Sequence, residues 1–235
     1  MTAALAEADI AICGGGPSGS ALAALLAKAG RDVLVIERNA EPVFSVGESL
    51  LPFGNRVLEA IGVRMDGFQR KEGAVFTDGD RTTRVAFAEA ARPTWTFAHQ
   101  VPRADFDGRV RRAAIGAGAR FVTATVEALA PPCAVTDRGI VRANRVIDAM
   151  GREGRLSKQL GQRRYHPQLR NAARTLWYRD VRSFPPEVPG DIVISCFEGG
   201  WFWLIPFADG VTSVGSVTTK ESGIRGDWDA ALARC

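Results

Sequence analysis

The chain has 235 residues, 46% of them hydrophobic, enough for one large domain or one and a half. Its net charge of +4 is dispersed, with no basic run longer than Arg111-Arg112 or Arg163-Arg164, which argues against a nucleic-acid stripe. Four scattered cysteines, two distant histidines, no basic-then-apolar leader and no apolar run near ~20 residues argue against a disulfide framework, a local metal motif, a signal peptide and a membrane helix; a reducing cytoplasm fits.

Residues 9–13 form a short apolar run suited to a buried parallel strand. The turn Gly14-Gly15-Gly16-Pro17-Ser18-Gly19 follows at once. An Ala/Leu-rich helix over 20–29 comes next, and Gly30 stops it. A second apolar strand over 32–36 ends in Glu37. This strand–turn–helix–strand unit is the context that a Gly-x-Gly-x-x-Gly pattern needs to bind a dinucleotide. Gly14 permits the tight turn, Gly16 lets backbone approach a pyrophosphate, and Gly19 lets the helix pack close to the strand. The helix N-terminus favours phosphate, and Glu37 stands where an acid meets the ribose hydroxyls.

A loop over 40–50 carries Gly47-Glu48-Ser49, and a helix over 53–62 ends at Gly62. Short strands are predicted over 71–89, turning at Asp78-Gly79-Asp80, and 95–99 extends their sheet. The nucleotide domain resumes with a helix over 104–117 and strands over 120–125 and 145–149. Further strands are expected over 172–180, 190–197, 200–206 and 211–219. The last alternates as a half-exposed antiparallel strand should. A helix begins near 226.

Trp201-Phe202-Trp203-Leu204-Ile205-Pro206 is the second informative stretch. Spacing of i and i+2 on a strand puts both indoles on one face, a double aromatic wall. Simple core packing is compatible with the same residues.

The Gly-rich turn with Glu37, Gly47-Glu48-Ser49, Phe68–Ala74, Val101–Asp107, Ile147–Gly151 and the Trp201–Pro206 run together resemble the flavin-dependent halogenases, over about residues 8–222. Pro17-Ser18 before an Ala/Leu helix looks more like the phenol and pyrrole types than the free-tryptophan type. The resemblance implies an α/β fold: an FAD-binding Rossmann-like domain (1–70 and 100–165), an antiparallel sheet covering flavin and substrate (71–99 and 166–222), and the start of a helix (223–235). It implies that Gly14, Gly16, Gly19 and Glu37 hold the ADP part of FAD. Reduced FAD would come from a separate flavin reductase; with oxygen and halide it yields hypohalous acid. Lys71 matches the lysine that directs this acid at an electron-rich aromatic, free or tethered to a carrier protein. Trp201 and Trp203, with Pro206 closing the run, would keep substrate away from flavin.

Several positions carry two readings. Residue type alone would expose Lys71 within Arg70-Lys71-Glu72. Arg103 is either near the flavin or a surface residue at a helix start. Ser49 is either near the flavin ring or halide, or a turn serine. Asp148 reads as ordering a strand end, and His99 and His166 as structural. Family members continue past residue 235, and Gly226-Asp227 lacks the context of their later Gly-Asp segment, so the chain reads as the N-terminal part of such a protein. The rivals are a flavin monooxygenase or prenyl-reductase-like oxidoreductase, and a non-catalytic fragment.

Overall fold

The computed structural model describes residues 4–90, 94–166, 169–182 and 190–234. The elements in chain order are β1 (Ala4–Cys13), α1 (Pro17–Lys28), β2 (Val33–Glu37), α2 (Gly54–Ile61), β3 (Gln69–Lys71), β4 (Gly73–Asp78), β5 (Arg81–Ala86), β6 (Ala98–Gln100), α3 (Arg103–Gly116), β7 (Arg120–Thr123), β8 (Val126–Ala130), β9 (Cys133–Thr136), β10 (Gly139–Asp148), α4 (Arg155–Gln159), β11 (Ala172–Arg179), β12 (Ile192–Phe197), β13 (Gly200–Pro206), β14 (Val211–Thr218) and α5 (Trp228–Leu232). They fall into two compact units. One is drawn from the chain up to Phe44, Arg56–Arg64 and Arg103–Arg164; the other from Ser45–Asn55, Met65–Pro102 and Tyr165 onward.

The first unit is a Rossmann-like α/β domain. Its sheet runs β7-β2-β1-β10-β9-β8. The first four strands are parallel, and β9 and β8 are added antiparallel. Central strands of parallel sheets are covered on both faces, so they read as continuous apolar runs. Val33, Leu34, Val35 and Ile36 accordingly are all buried. Ala11, Cys13, Leu34 and Ile36 join Leu129, Ala134 and Val141 in one core cluster. α1 starts with Pro17 in its first turn, where a missing N–H costs nothing, and Gly30 at φ 76° ends it. The β8–β9 hairpin went unread in the sequence, because Pro131-Pro132 and single short apolar residues hide its period.

The second unit holds the sheet β11-β14-β13-β12-β4-β5 and a small ribbon of β3 and β6. The ribbon corrects one expectation: residues 95–99 do not extend the larger sheet. Ala98–Gln100 instead pair with Gln69–Lys71. Glu48–Leu50 lie along the other edge of β6, through a Ser49↔Gln100 bridge and backbone bonds from Leu50 to His99 and from Val101 to Glu48.

Strand β14 is also not half-exposed; seven of its eight residues are buried. Its odd positions lie on the face of Trp203, Ile205 and Phe207, where Val211 and Val217 pack. On the other face Phe197 and Phe202 meet Trp228 and Ala231, with Val214 beside them. Five-residue α5 is too short to persist alone. Asp227 caps it by accepting the Ala230 N–H at 3.0 Å, and Trp228 packs edge-on against Phe202 at 5.3 Å.

Candidate functional site

In the first unit, β1 sits between β2 and β10, so the turn after Cys13 emerges between Glu37 and Asp148. Gly14 adopts φ 107°, which L side chains avoid. A Cβ at Gly19 would lie 1.9 Å from the Gly14 carbonyl oxygen, so helix and turn touch backbone to backbone. A Cβ at Gly16 would meet nothing within 4 Å, which leaves open space at the start of α1. Glu37 accepts the Gly15 N–H at 2.7 Å and the Asn39 N–H at 3.0 Å. Its carboxylate is thus aimed while keeping lone pairs for hydroxyl donors. A cleft of about 610 Å³ lies at the carboxyl end of β10, lined by Ser18, Asp148, Ala149, Gly151, Leu156 and Ser157. Open α/β sheets bind ligands at that end. These residues fit the ADP half of a dinucleotide.

Asp148 orders its strand end, as expected, by accepting the Met150 N–H at 3.1 Å and the Leu156 N–H at 2.8 Å. Burial, with Asp148 adding its charge, pushes the Cys13 thiol up to about 12, so it stays protonated and inert. Arg103 makes a bidentate pair with Asp107 on the first turns of α3, at 2.9 and 3.0 Å. Gly19→Ala is expected to cost about 2 kcal/mol, the middle of the range for overpacking. Urea denaturation checks it; an unchanged midpoint would contradict the backbone contact.

In the second unit, Lys71 is 2% exposed, against the expectation from residue type. Pairing of Lys71 with Ala98 on β6 turns the side chain across a small residue. Its ammonium donates to Ser49 Oγ at 2.5 Å and lies 5.4 Å from the Phe87 ring centroid. Burial lowers its pKa from 10.5 to about 8, while the Asp191 carboxylate pulls the other way. Ser49 is therefore a partner of the lysine rather than a plain turn residue. Paired residues share a face of a sheet, so Gln69, Lys71, Ala98, Gln100 and Ser49 lie on one side of the ribbon. His99 alternates to the other side, and burial lowers its pKa.

Trp201 and Trp203 do share a face of β13, and Pro206 ends that strand. Trp203 is 9% exposed and lies flat over Gly215, while Trp201 packs partly buried beside it. Sequence reasoning missed the rest of this face. Trp177 on β11 pairs with Ser213, placing a third indole on the same side. Above them Glu48 is 1% exposed. It accepts Ser213 Oγ at 2.5 Å and Trp177 Nε1 at 3.1 Å. Trp203 Nε1 lies 3.4 Å from Ser213 Oγ. Glu48 was visible only as part of a motif, since its partners lie 129 and 165 residues away.

Comparison with known proteins shows what the chain is similar to. Residues 9–81 match the tryptophan halogenase family profile. Over an alignment of 273 positions, gaps included, the chain is 30% identical to the 1H-pyrrole-2-carbonyl-[peptidyl-carrier protein] chlorinase of Pseudomonas fluorescens, covering 96% of this chain and 60% of the relative. The chain is a relative of the flavin-dependent halogenases. It superposes on the myxobacterial chondrochloren halogenase CndH, an FAD-dependent halogenase, with a TM-score of 0.85 at 30% identity, over 97% of this chain and 56% of that one. The flavin-dependent halogenase CmlS gives a TM-score of 0.85 at 31% identity, over 98% and 46% respectively. The chain spans 60% of the length of that chlorinase and 43% of the tryptophan 2-halogenase of Chondromyces crocatus, to which it is 29% identical over 90% of its own length. No described helix is long and apolar enough to cross a membrane.

Proposed function

We propose that this chain carries the nucleotide site and the halogen-transfer lysine of an FAD-dependent halogenase. Its substrate would be an electron-rich phenol or pyrrole, free or carrier-tethered, and its reduced flavin would come from a separate reductase. The observation that carries the reading is Lys71, a buried amine with a hydroxyl partner, on a chain whose first unit fits the ADP half of FAD.

When bound and reduced, FAD with oxygen and halide supplies hypohalous acid. Gly14, Gly16 and Gly19 seat the nucleotide, and Glu37 takes the ribose hydroxyls. With a pKa of about 8, Lys71 is about nine-tenths ammonium at pH 7. It can donate a hydrogen bond to the hypohalous oxygen. As the halogen moves to the ring carbon, the O–X bond breaks and the oxygen takes the lysine proton, leaving as water. The ring carbon then loses its own proton, which restores the ammonium. Ser49 holds the amine in place. Trp201 and Trp203 keep the aromatic substrate from the flavin, and Pro206 ends their strand.

Titration of FAD into the purified chain, followed by quenching of flavin fluorescence, tests the nucleotide site. Stoichiometric quenching, weakened by Glu37→Ala, supports it; a folded chain that leaves flavin fluorescence unchanged refutes it. Lys71→Ala should abolish bromide-dependent halogenation of a phenol or pyrrole while flavin oxidation continues. Halogenation at the parent rate would remove the lysine from the mechanism. Product formed without halide would favour the monooxygenase or prenyl-reductase rival.

A further inference from the structure

Lys71 is the last residue of β3, and the chain on both sides of it is gripped by Gly190 and Asp191. A Cβ at Gly190 would lie 2.1 Å from the Arg70 carbonyl oxygen, so these backbones are in direct contact before the lysine. The Gly190 carbonyl accepts Gln100 Nε2 at 3.2 Å, which ties it to the ribbon. After the lysine, the Glu72 and Gly73 N–H groups both donate to Asp191 Oδ1 at 2.8 Å. The Arg84 Nε donates to Asp191 Oδ2 at 2.8 Å. A Cβ at Gly73 would lie 2.8 Å from that same oxygen, so the carboxylate presses on the main chain. Asp191 is 4% exposed, and three donors compensate its burial.

We propose that Asp191 is a positioning residue for Lys71. It fixes the backbone that follows the lysine and supplies the negative charge that keeps the buried amine protonated at neutral pH. The inference rests on the assignment of Lys71 as the halogen-transfer residue. Among the described residues, a neutral hydroxyl and an aromatic ring stand beside the ammonium, and a buried amine in such surroundings sheds its proton readily. Asp191 opposes that from within the same unit, its carboxylate favouring the charged amine, while its oxygens take the Glu72 and Gly73 N–H groups and the Arg84 Nε. The ammonium hydrogens are thereby left for Ser49 and for an incoming oxidant. Arg84 sets how strongly the carboxylate acts, since its guanidinium offsets part of the negative charge. Of the other charged groups flanking the lysine, Arg70 lies over the Phe97 ring at 4.1 Å and pairs with Glu72 at 3.0 Å, an exposed pair that water screens.

The test reads the lysine directly and needs neither flavin nor substrate. The chain has only four lysines, Lys28, Lys71, Lys158 and Lys220. Reductive ¹³C-methylation and NMR give a titration curve for each, with Lys71 assigned by its absence in Lys71→Arg. Asp191→Asn keeps an acceptor for the two N–H groups and removes the charge. Lys71 should then titrate lower by about 1 pH unit, with the other three unmoved. A merely structural role would loosen the site, admit water and move Lys71 upward, toward 10.5. An upward or absent shift overturns the proposal. Arg84→Met leaves both backbone bonds to Asp191 intact, so it holds the fold should Asp191→Asn not. It should raise the Lys71 value; no rise overturns the proposal equally. Loss of the lysine assignment would show instead as halogenation surviving Lys71→Ala, a separate result.

Discussion

Lys71→Met is expected to make the chain more stable than the parent at pH 7, by about 2 kcal/mol. The folded chain holds Lys71 at about 8, whereas the unfolded chain holds it near 10.5. Between those values the unfolded state keeps a proton that the folded state has released, so parent stability climbs as pH rises through the window. Below about pH 8 both states are protonated and the folded state carries the full burial cost, about 3 kcal/mol. Methionine fills a similar volume without charge. It forfeits the hydrogen bond to Ser49, worth roughly 1 kcal/mol, and the balance remains as a gain. Urea denaturation at pH 7 and again near pH 10.5 checks both parts. The advantage should fade at the higher pH. A variant no more stable than the parent at pH 7 would show that the lysine is not held against its solvation. A lysine kept at such a cost is what the proposed halogen-transfer role would require, since catalytic sites keep groups that the fold alone would reject.

Gly215→Ala should have an effect of similar size in the other direction. Gly215 pairs with Trp203 across β13 and β14. An added Cβ would lie 1.9 Å from Trp203 Cζ2, 2.2 Å from Cε2 and 2.3 Å from Cη2. Those atoms belong to a rigid ring, so the indole has to swing off the strand as one body. It would leave the cluster of Ile205, Phe207, Val211 and Val217 and move Nε1 away from Ser213. Overpacking and the lost aromatic burial together should cost about 3 kcal/mol. The near-ultraviolet circular dichroism of the tryptophans should change with it. A variant with parent stability and an unchanged aromatic spectrum would mean the indole does not lie on Gly215.

The parts legible in the sequence were those written in local patterns. The Gly14–Gly19 turn, the α1 helix, and β2 ending at Glu37 occupy one continuous stretch, and their glycine and apolar spacing states their geometry. Trp201 and Trp203 share a face because a strand has a period of two. Lys71 was legible as a motif position but not as a buried group. Its burial is decided by pairing with Ala98 and by Ser49, 22 residues earlier. Strand β14 misled for a related reason. Ser213 and Gly215 look like a solvent face, yet they are small and polar because Trp203 and Glu48 lie on them. Asp191 left no trace at all, since its partners Glu72, Gly73 and Arg84 are more than a hundred residues away.

Glu48 and Ser49 are neighbours in sequence whose side chains serve opposite sides of one short extended segment. One ties the indole face together through Ser213 and Trp177, and the other holds the lysine. Because side chains alternate strictly along an extended chain, a slip of a single residue there would exchange the two. A carboxylate would meet the amine, and a hydroxyl would be left to bridge the aromatic rings. Grafting or redesign of this scaffold therefore has to treat residues 48–50, β6 and β3 as one cassette, transplanted together with fixed alignment. Point changes can tune either side alone, but any insertion or deletion in the stretch would disable both at once.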